Sequence, residues 1–146
     1  MPTARMIVCE RSEKWTVALR RGLGDDMPRL LETRSLDACW REVAANPGSF
    51  VVVECLETNL EQVARWLKRL SARFPGARAA VVSERGLQPC EWLLREAGAV
   101  HVAFSTRETG PLVRILRRHM AAMPAPDTSL RQQLWDRLPW GGEFEG

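Results

Sequence analysis

Five short apolar runs alternate with five amphipathic segments along this chain, and that alternation restricts the fold more than any other feature. Met6-Ile7-Val8-Cys9 and Phe50-Val51-Val52-Val53-Glu54 are continuous runs of bulky residues, too short for helices and typical of strands covered on both faces. Arg29 to Thr33, Ala79 to Ser83 and Val100 to Phe104 supply three more strands, the first of them polar enough for a sheet edge. Between and after them, apolar residues recur at helical spacing. Trp15, Leu19 and Leu23 follow a Ser12 cap; Leu36, Trp40 and Val43 follow a Ser35 cap. Leu60, Val63, Leu67 and Leu70 follow a Thr58-to-Glu61 capping box, and Leu93, Leu94 and Ala97 follow Pro89. Leu112, Ile115, Leu116, His119 and Met123 follow Pro111. Strands alternating with helices predict parallel strands joined by right-handed crossovers, hence a three-layer α/β/α domain around a five-stranded parallel sheet.

The pattern occupies residues 1–123 and then stops at Pro124-Ala125-Pro126, so residues 124–146 read as a separate tail. In it Leu130, Leu134 and Leu138 recur every fourth position, predicting a short amphipathic helix that packs back on the domain or docks a partner. Trp15, Trp40, Trp66 and Trp92 stand one per helix, as expected if each covers the sheet in a β-α unit of constant length.

With 146 residues and 45% hydrophobic content, one core is affordable and two are not. No apolar stretch approaches the roughly 20 residues of a membrane helix, and the N-terminus lacks a signal-peptide layout, so a cytoplasmic protein without membrane attachment is expected. The net charge is only +3, and its 21 basic residues are interspersed with 18 acids. Nucleic-acid binding needs clustered cations to displace counterions, so a direct DNA or RNA partner is not expected. Cys9, Cys39, Cys55 and Cys90 show no zinc-site spacing and read as small buried residues, with Cys9 and Cys55 at the ends of neighbouring strands.

In open parallel sheets ligands bind beyond the C-terminal strand ends. Here that rim carries Cys9-Glu10-Arg11, Glu54-Cys55, Ser83-Glu84-Arg85 and Ser105-Thr106-Arg107. No glycine-rich phosphate loop follows the first strand, which argues against a dinucleotide site or a P-loop.

These units and rim residues, with a Gly-Ala step into the last strand, resemble the receiver domain of two-component response regulators over about residues 5 to 123. The resemblance implies a flavodoxin-like strand order 2-1-3-4-5. Receivers hold Mg²⁺ on two acids after the first strand, phosphorylate an Asp ending the third, and place a Ser or Thr and a Lys at the ends of the fourth and fifth. Carried over, the acid pair becomes Cys9 and Glu10, the phosphoacceptor Glu54, the switch hydroxyl Ser83 and the lysine position Ser105, with Arg107 nearby. A thiol replaces a hard oxygen ligand, Glu54 is one carbon longer than Asp, and neither Lys14 nor Lys68 is placed near the last strand.

The resemblance therefore implies a pseudo-receiver: no metal, no cofactor, no enzymatic step, and a role in contacting a signalling protein or a second copy of itself. The contacting face would lie on helix four, strand five and helix five, with polar Glu91, Arg95, His101 and Arg114 around Val102, Phe104 and Leu112. The competing expectation is a small enzyme or ligand binder that uses the Cys/Glu/Arg rim, with a thiol activated by neighbouring arginines.

Overall fold

A computed structural model describes residues 4–25 and 29–123; the predicted tail lies outside the described residues. The five strands are β1 (Met6–Cys9), β2 (Leu30–Thr33), β3 (Phe50–Glu54), β4 (Arg78–Val82) and β5 (Ala99–Ala103). They form one all-parallel sheet in the order β2-β1-β3-β4-β5. The helices are α1 (Lys14–Leu23), α2 (Leu36–Ala45), α3 (Leu60–Arg73), α4 (Glu91–Ala97) and α5 (Gly110–Ala122). The expected class and order are both found.

Strand alternation sorts side chains into two cores. Ile7, Cys9, Val51, Val53, Ala79 and Val81 face a layer containing Cys39, Val43, Val63, Leu67, Leu70 and Leu94 of α2, α3 and α4. Met6, Val8, Phe50, Val52, Ala80 and Val82 face Trp15, Leu19, Leu112 and Leu116 of α1 and α5. Both faces of β1 and β3 are covered, which is why these strands are apolar without a break. One step of this alternation matters for the rim: Cys9 belongs to the α2/α3 side, so the next residue turns toward α1.

Several local expectations differ from the structure. Ser12 does not cap α1; its hydroxyl donates to Glu10 Oε1 at 3.4 Å, and the helix starts at Lys14. Ser35 does cap α2, accepting from Ala38 N at 3.1 Å. The box before α3 forms two residues earlier than predicted, with Leu56 N donating to Asn59 Oδ1 at 2.7 Å across a 3-10 turn at Glu57–Asn59. Pro89 sits inside the 3-10 turn Arg85–Cys90, which precedes α4 instead of opening it. α4 ends on Gly98 at φ +126°, a conformation side chains other than glycine rarely adopt.

Trp15 and Trp66 are buried, and Trp40 packs edge-on against Trp66 and Phe74. Trp92 departs from the predicted pattern: it is 65% exposed, with Leu94 and Ala97 filling the core instead.

Candidate functional site

Glu10 is the pivot of the rim. It is only 3% exposed, and its side chain follows the strand alternation toward the start of α1. Oε2 accepts from Thr16 N and from Thr16 Oγ1, each at 2.7 Å, and Oε1 accepts from Trp15 N at 3.1 Å. The carboxylate thus takes the place of the missing cap: it satisfies amides that no helical carbonyl reaches and sits at the positive end of the helix dipole. Arg34 holds the same loop from outside, its Nη1 donating to Glu10 O and Ser12 O at 3.1 Å each, while Nη2 lies 3.4 Å from Glu13 Oε1.

Glu54, 8% exposed, accepts from Arg11 N at 3.2 Å, so β1 and β3 deliver the two carboxylates to one mouth. Ser83 is buried and donates its hydroxyl to Cys55 O at 2.6 Å. Ser105 accepts from Arg107 N at 3.2 Å within the loop after β5. Cys9, Glu10 and Glu54 line a cleft of about 460 Å³ together with Arg34, Ser35 and Arg69; Ser83 and Ser105 do not line it.

Lys14 corrects an expectation. α1 and α5 share a face of the sheet, which brings Lys14 to a second groove with Arg21, Thr106 and Arg107, across from the loop after β5. Lys14 lines that groove and not the cleft holding Glu54. The sequence signal was available in principle, since Lys14 opens α1 and order 2-1-3-4-5 puts α1 beside α5.

The cysteines pair differently from the expectation. Cys9 meets Cys39, a residue the predicted helix face omitted, because both project from the same side of β1 and α2. A hydrogen bond from Cys39 holds the Cys9 thiol below the usual thiol range against the opposing effect of burial. The same bond and burial push Cys39 up. Cys55 is pushed up to about 11, chiefly by burial and secondarily by the neighbouring Cys90. Both histidines are lowered, chiefly by burial: His101 on β5, and His119, whose Nε2 lies 2.7 Å from Gly48 O.

The receiver resemblance implies Mg²⁺ at this mouth, and the donors present do not fit it. Mg²⁺ requires hard oxygen ligands in octahedral array. Cys9 offers sulfur, and both Glu10 oxygens are already taken by α1 donors. Among the described residues no group of three or more His, Cys, Asp or Glu is arranged to hold a metal ion.

The predicted contact face is also revised. Val102, Phe104 and Leu112 are buried; the exposed apolar side chains there are Trp92 at 65% and Val100 at 38%. No helix among the described residues is long and apolar enough to cross a membrane.

No family model matches the chain, and no curated protein does. Solved structures do. A response regulator from Thermotoga maritima superposes with TM-score 0.68 at 16% identity, over 84% of this chain and all of that one. A CheY-like protein (tadZ) from Pseudomonas aeruginosa gives 0.64 at 13% identity, over 86% and 99%. A putative pilus assembly protein (cpaE) from Burkholderia thailandensis gives 0.56 at 18%, over 83% and 99%. The chain has the fold of a receiver domain; identities this low carry the fold and not the chemistry.

Proposed function

We propose that this protein is a pseudo-receiver: a non-catalytic signalling module that acts by contacting other proteins and does not undergo ordinary aspartyl-type phosphorylation. The observation that carries the reading is the engagement of both Glu10 oxygens by Trp15 N, Thr16 N and Thr16 Oγ1. Phosphoryl transfer to a carboxylate needs a divalent ion to bridge and neutralise the oxygens and a cation to receive the charge. At the equivalent positions stand Cys9 and Glu10 for the acid pair, Glu54 for the phosphoacceptor, Ser83 for the switch and Ser105 for the lysine. Ser83 and Ser105 are each engaged with backbone, and Lys14 lines a different groove.

What then remains for function is surface. Trp92 and Val100 give the α4–β5 side exposed apolar area of the kind that marks a protein contact. Similar structures named as a CheY-like protein (tadZ), as pilus assembly-related and as a pilus assembly protein (cpaE) support a protein partner within a larger assembly. The reading places the protein in the cytoplasm without a cofactor, and its interspersed charges give no cationic cluster for direct nucleic-acid contact. Self-association through the same side is the form of this contact that needs no second gene product.

The test is incubation with a small-molecule phosphodonor and Mg²⁺, followed by intact-mass measurement and titration of Mg²⁺ by calorimetry. No phosphate adduct and no Mg²⁺ binding in the millimolar range are expected. An acid-labile phosphate on Glu54, or Mg²⁺ affinity abolished by Glu10→Gln, would overturn the reading.

A further inference from the structure

Two thiols and a hydroxyl converge behind the cleft. Cys9 ends β1, Thr33 ends β2 directly beside it in register, and Cys39 lies in the first half of α2. Cys9 and Cys39 pack in the same core cluster and each is the strongest influence on the other's thiol, while the Thr33 hydroxyl beside them donates to Val8 O at 3.2 Å. The two sulfurs differ in access. Cys39 is fully buried in the α2/α3 core, whereas Cys9 lines the cleft and reaches solvent through it.

We propose that Cys9 and Cys39 form a redox pair, in which a hydroperoxide entering the cleft oxidises Cys9 and Cys39 resolves it to an intramolecular disulfide. The Cys9 sulfur attacks one peroxide oxygen, the O–O bond breaks, and hydroxide leaves as water after taking a proton, giving a sulfenic acid on Cys9. The Cys39 sulfur then attacks the Cys9 sulfur; hydroxide departs with the Cys39 proton as a second water. Two thiols are oxidised by two electrons in total and one hydrogen peroxide is reduced to two waters. Cys9 is the attacking sulfur because it has both access and thiolate character, the latter supplied by the Cys39 hydrogen bond. Cys55 and Cys90 are the internal control: they also neighbour each other, but burial keeps the Cys55 thiol protonated at neutral pH.

Closing the pair draws the sulfurs to about 2.05 Å. That pulls α2 toward β1, and Ser35, Leu36 and Asp37 at the start of α2 are cleft walls. Oxidation would therefore reshape the rim without any phosphoryl chemistry.

The experiment treats the reduced full chain with hydrogen peroxide, blocks remaining thiols with an alkylating agent, and maps tryptic peptides with and without dithiothreitol. Cleavage after Arg5, Arg11, Arg34 and Arg41 separates the cysteines, so the expected product is a dithiothreitol-sensitive cross-link between residues 6–11 and 35–41. The Cys55→Ser/Cys90→Ser chain, which keeps the pair, should form it at the unaltered rate. Cys39→Ala should lose it and instead trap a dimedone-reactive sulfenic acid on Cys9, formed about tenfold more slowly for want of the thiolate-stabilising bond. A cross-link between Cys55 and Cys90 alone, four alkylated thiols after peroxide, or Cys9 running straight to sulfinic acid in the unmutated chain would each overturn the proposal.

Discussion

Removing the Glu10 carboxylate should destabilise the domain, and the sign of that effect separates two kinds of mouth. Glu10→Ala deletes an acceptor for three donors within 3.1 Å: Trp15 N, Thr16 N and Thr16 Oγ1. Thr16 is fully buried, so water replaces the lost oxygen poorly. A hydrogen bond to a charged group contributes about 1.5–3 kcal/mol, and a buried donor left unpaired costs about 1–3 kcal/mol. Three such bonds to one carboxylate are not additive, and deletion also relieves the desolvation of the charge. A net loss of about 3 kcal/mol follows, somewhat above the ~1–2 kcal/mol of an ordinary helix cap. Glu10→Gln keeps one acceptor oxygen but turns an NH₂ toward donors and gives up the dipole interaction, for a loss of about 1.5 kcal/mol.

With a urea m-value of about 2 kcal/mol/M, the unfolding midpoint should fall by about 1.5 M for Glu10→Ala and about half that for Glu10→Gln. Amide exchange at Trp15 and Thr16 should accelerate before the rest of α1. In a mouth whose acids serve a metal, the opposite is expected of the metal-free protein, because carboxylates crowded for a cation repel one another and deleting one relieves the repulsion. A midpoint unchanged or raised in Glu10→Ala would therefore refute the assignment of Glu10 as a structural cap.

Two further predictions concern the body of the domain. The pKa of His119 is lowered in the folded state, so the unfolded chain binds the proton more tightly; stability is full above the ordinary histidine value near 6.5 and is lost as pH falls below it. Urea midpoints should drop between pH 7.5 and pH 5, and His119→Gln, which retains a donor for Gly48 O, should reduce that slope and leave the part due to His101; an unaltered slope would discard the assignment. At Gly98 an added Cβ would lie 2.7 Å from Ser71 Oγ on a backbone at φ +126°, so Gly98→Ala should cost about 2 kcal/mol or more by thermal melting. Adding Ser71→Gly should restore the steric part only; full recovery would mean that the backbone conformation costs nothing.

The fold was legible because its signals are local and repeated. A run such as Phe50 to Val53 can be nothing but a strand covered on both sides, and Gly98 and Ser35 mark helix ends through their own backbone or side-chain chemistry. The rim was legible as a set of positions and not as a set of contacts. That Glu10 would displace Ser12 as the cap of α1 depends on how β1 aims its last residues, a matter of tertiary geometry. Cys39 was passed over because Leu36, Trp40 and Val43 already made a helical stripe; only the packing of α2 on β1 reveals that the stripe is centred on Cys39 and Val43. Trp92 shows the converse error, since a large aromatic at regular spacing was assigned to the core when the short α4 had room for Leu94 and Ala97 alone.

These departures fit one another. Residue alternation in β1 packs Cys9 under α2 and turns the Glu10 carboxylate to the start of α1, so the two positions that the resemblance equates with a metal-holding pair share the cleft but are engaged in different layers. Each then finds a partner native to its layer: Glu10 the amides of α1, Cys9 the thiol of Cys39. Arg34, reaching from the end of β2, fixes the loop between them by its carbonyls, supplying from a side chain the positive charge that a bound ion would otherwise bring to that loop. Restoring Asp at position 9 alone should therefore not restore metal binding, because Glu10 would still have to abandon two backbone amides and the Thr16 hydroxyl to serve as a ligand.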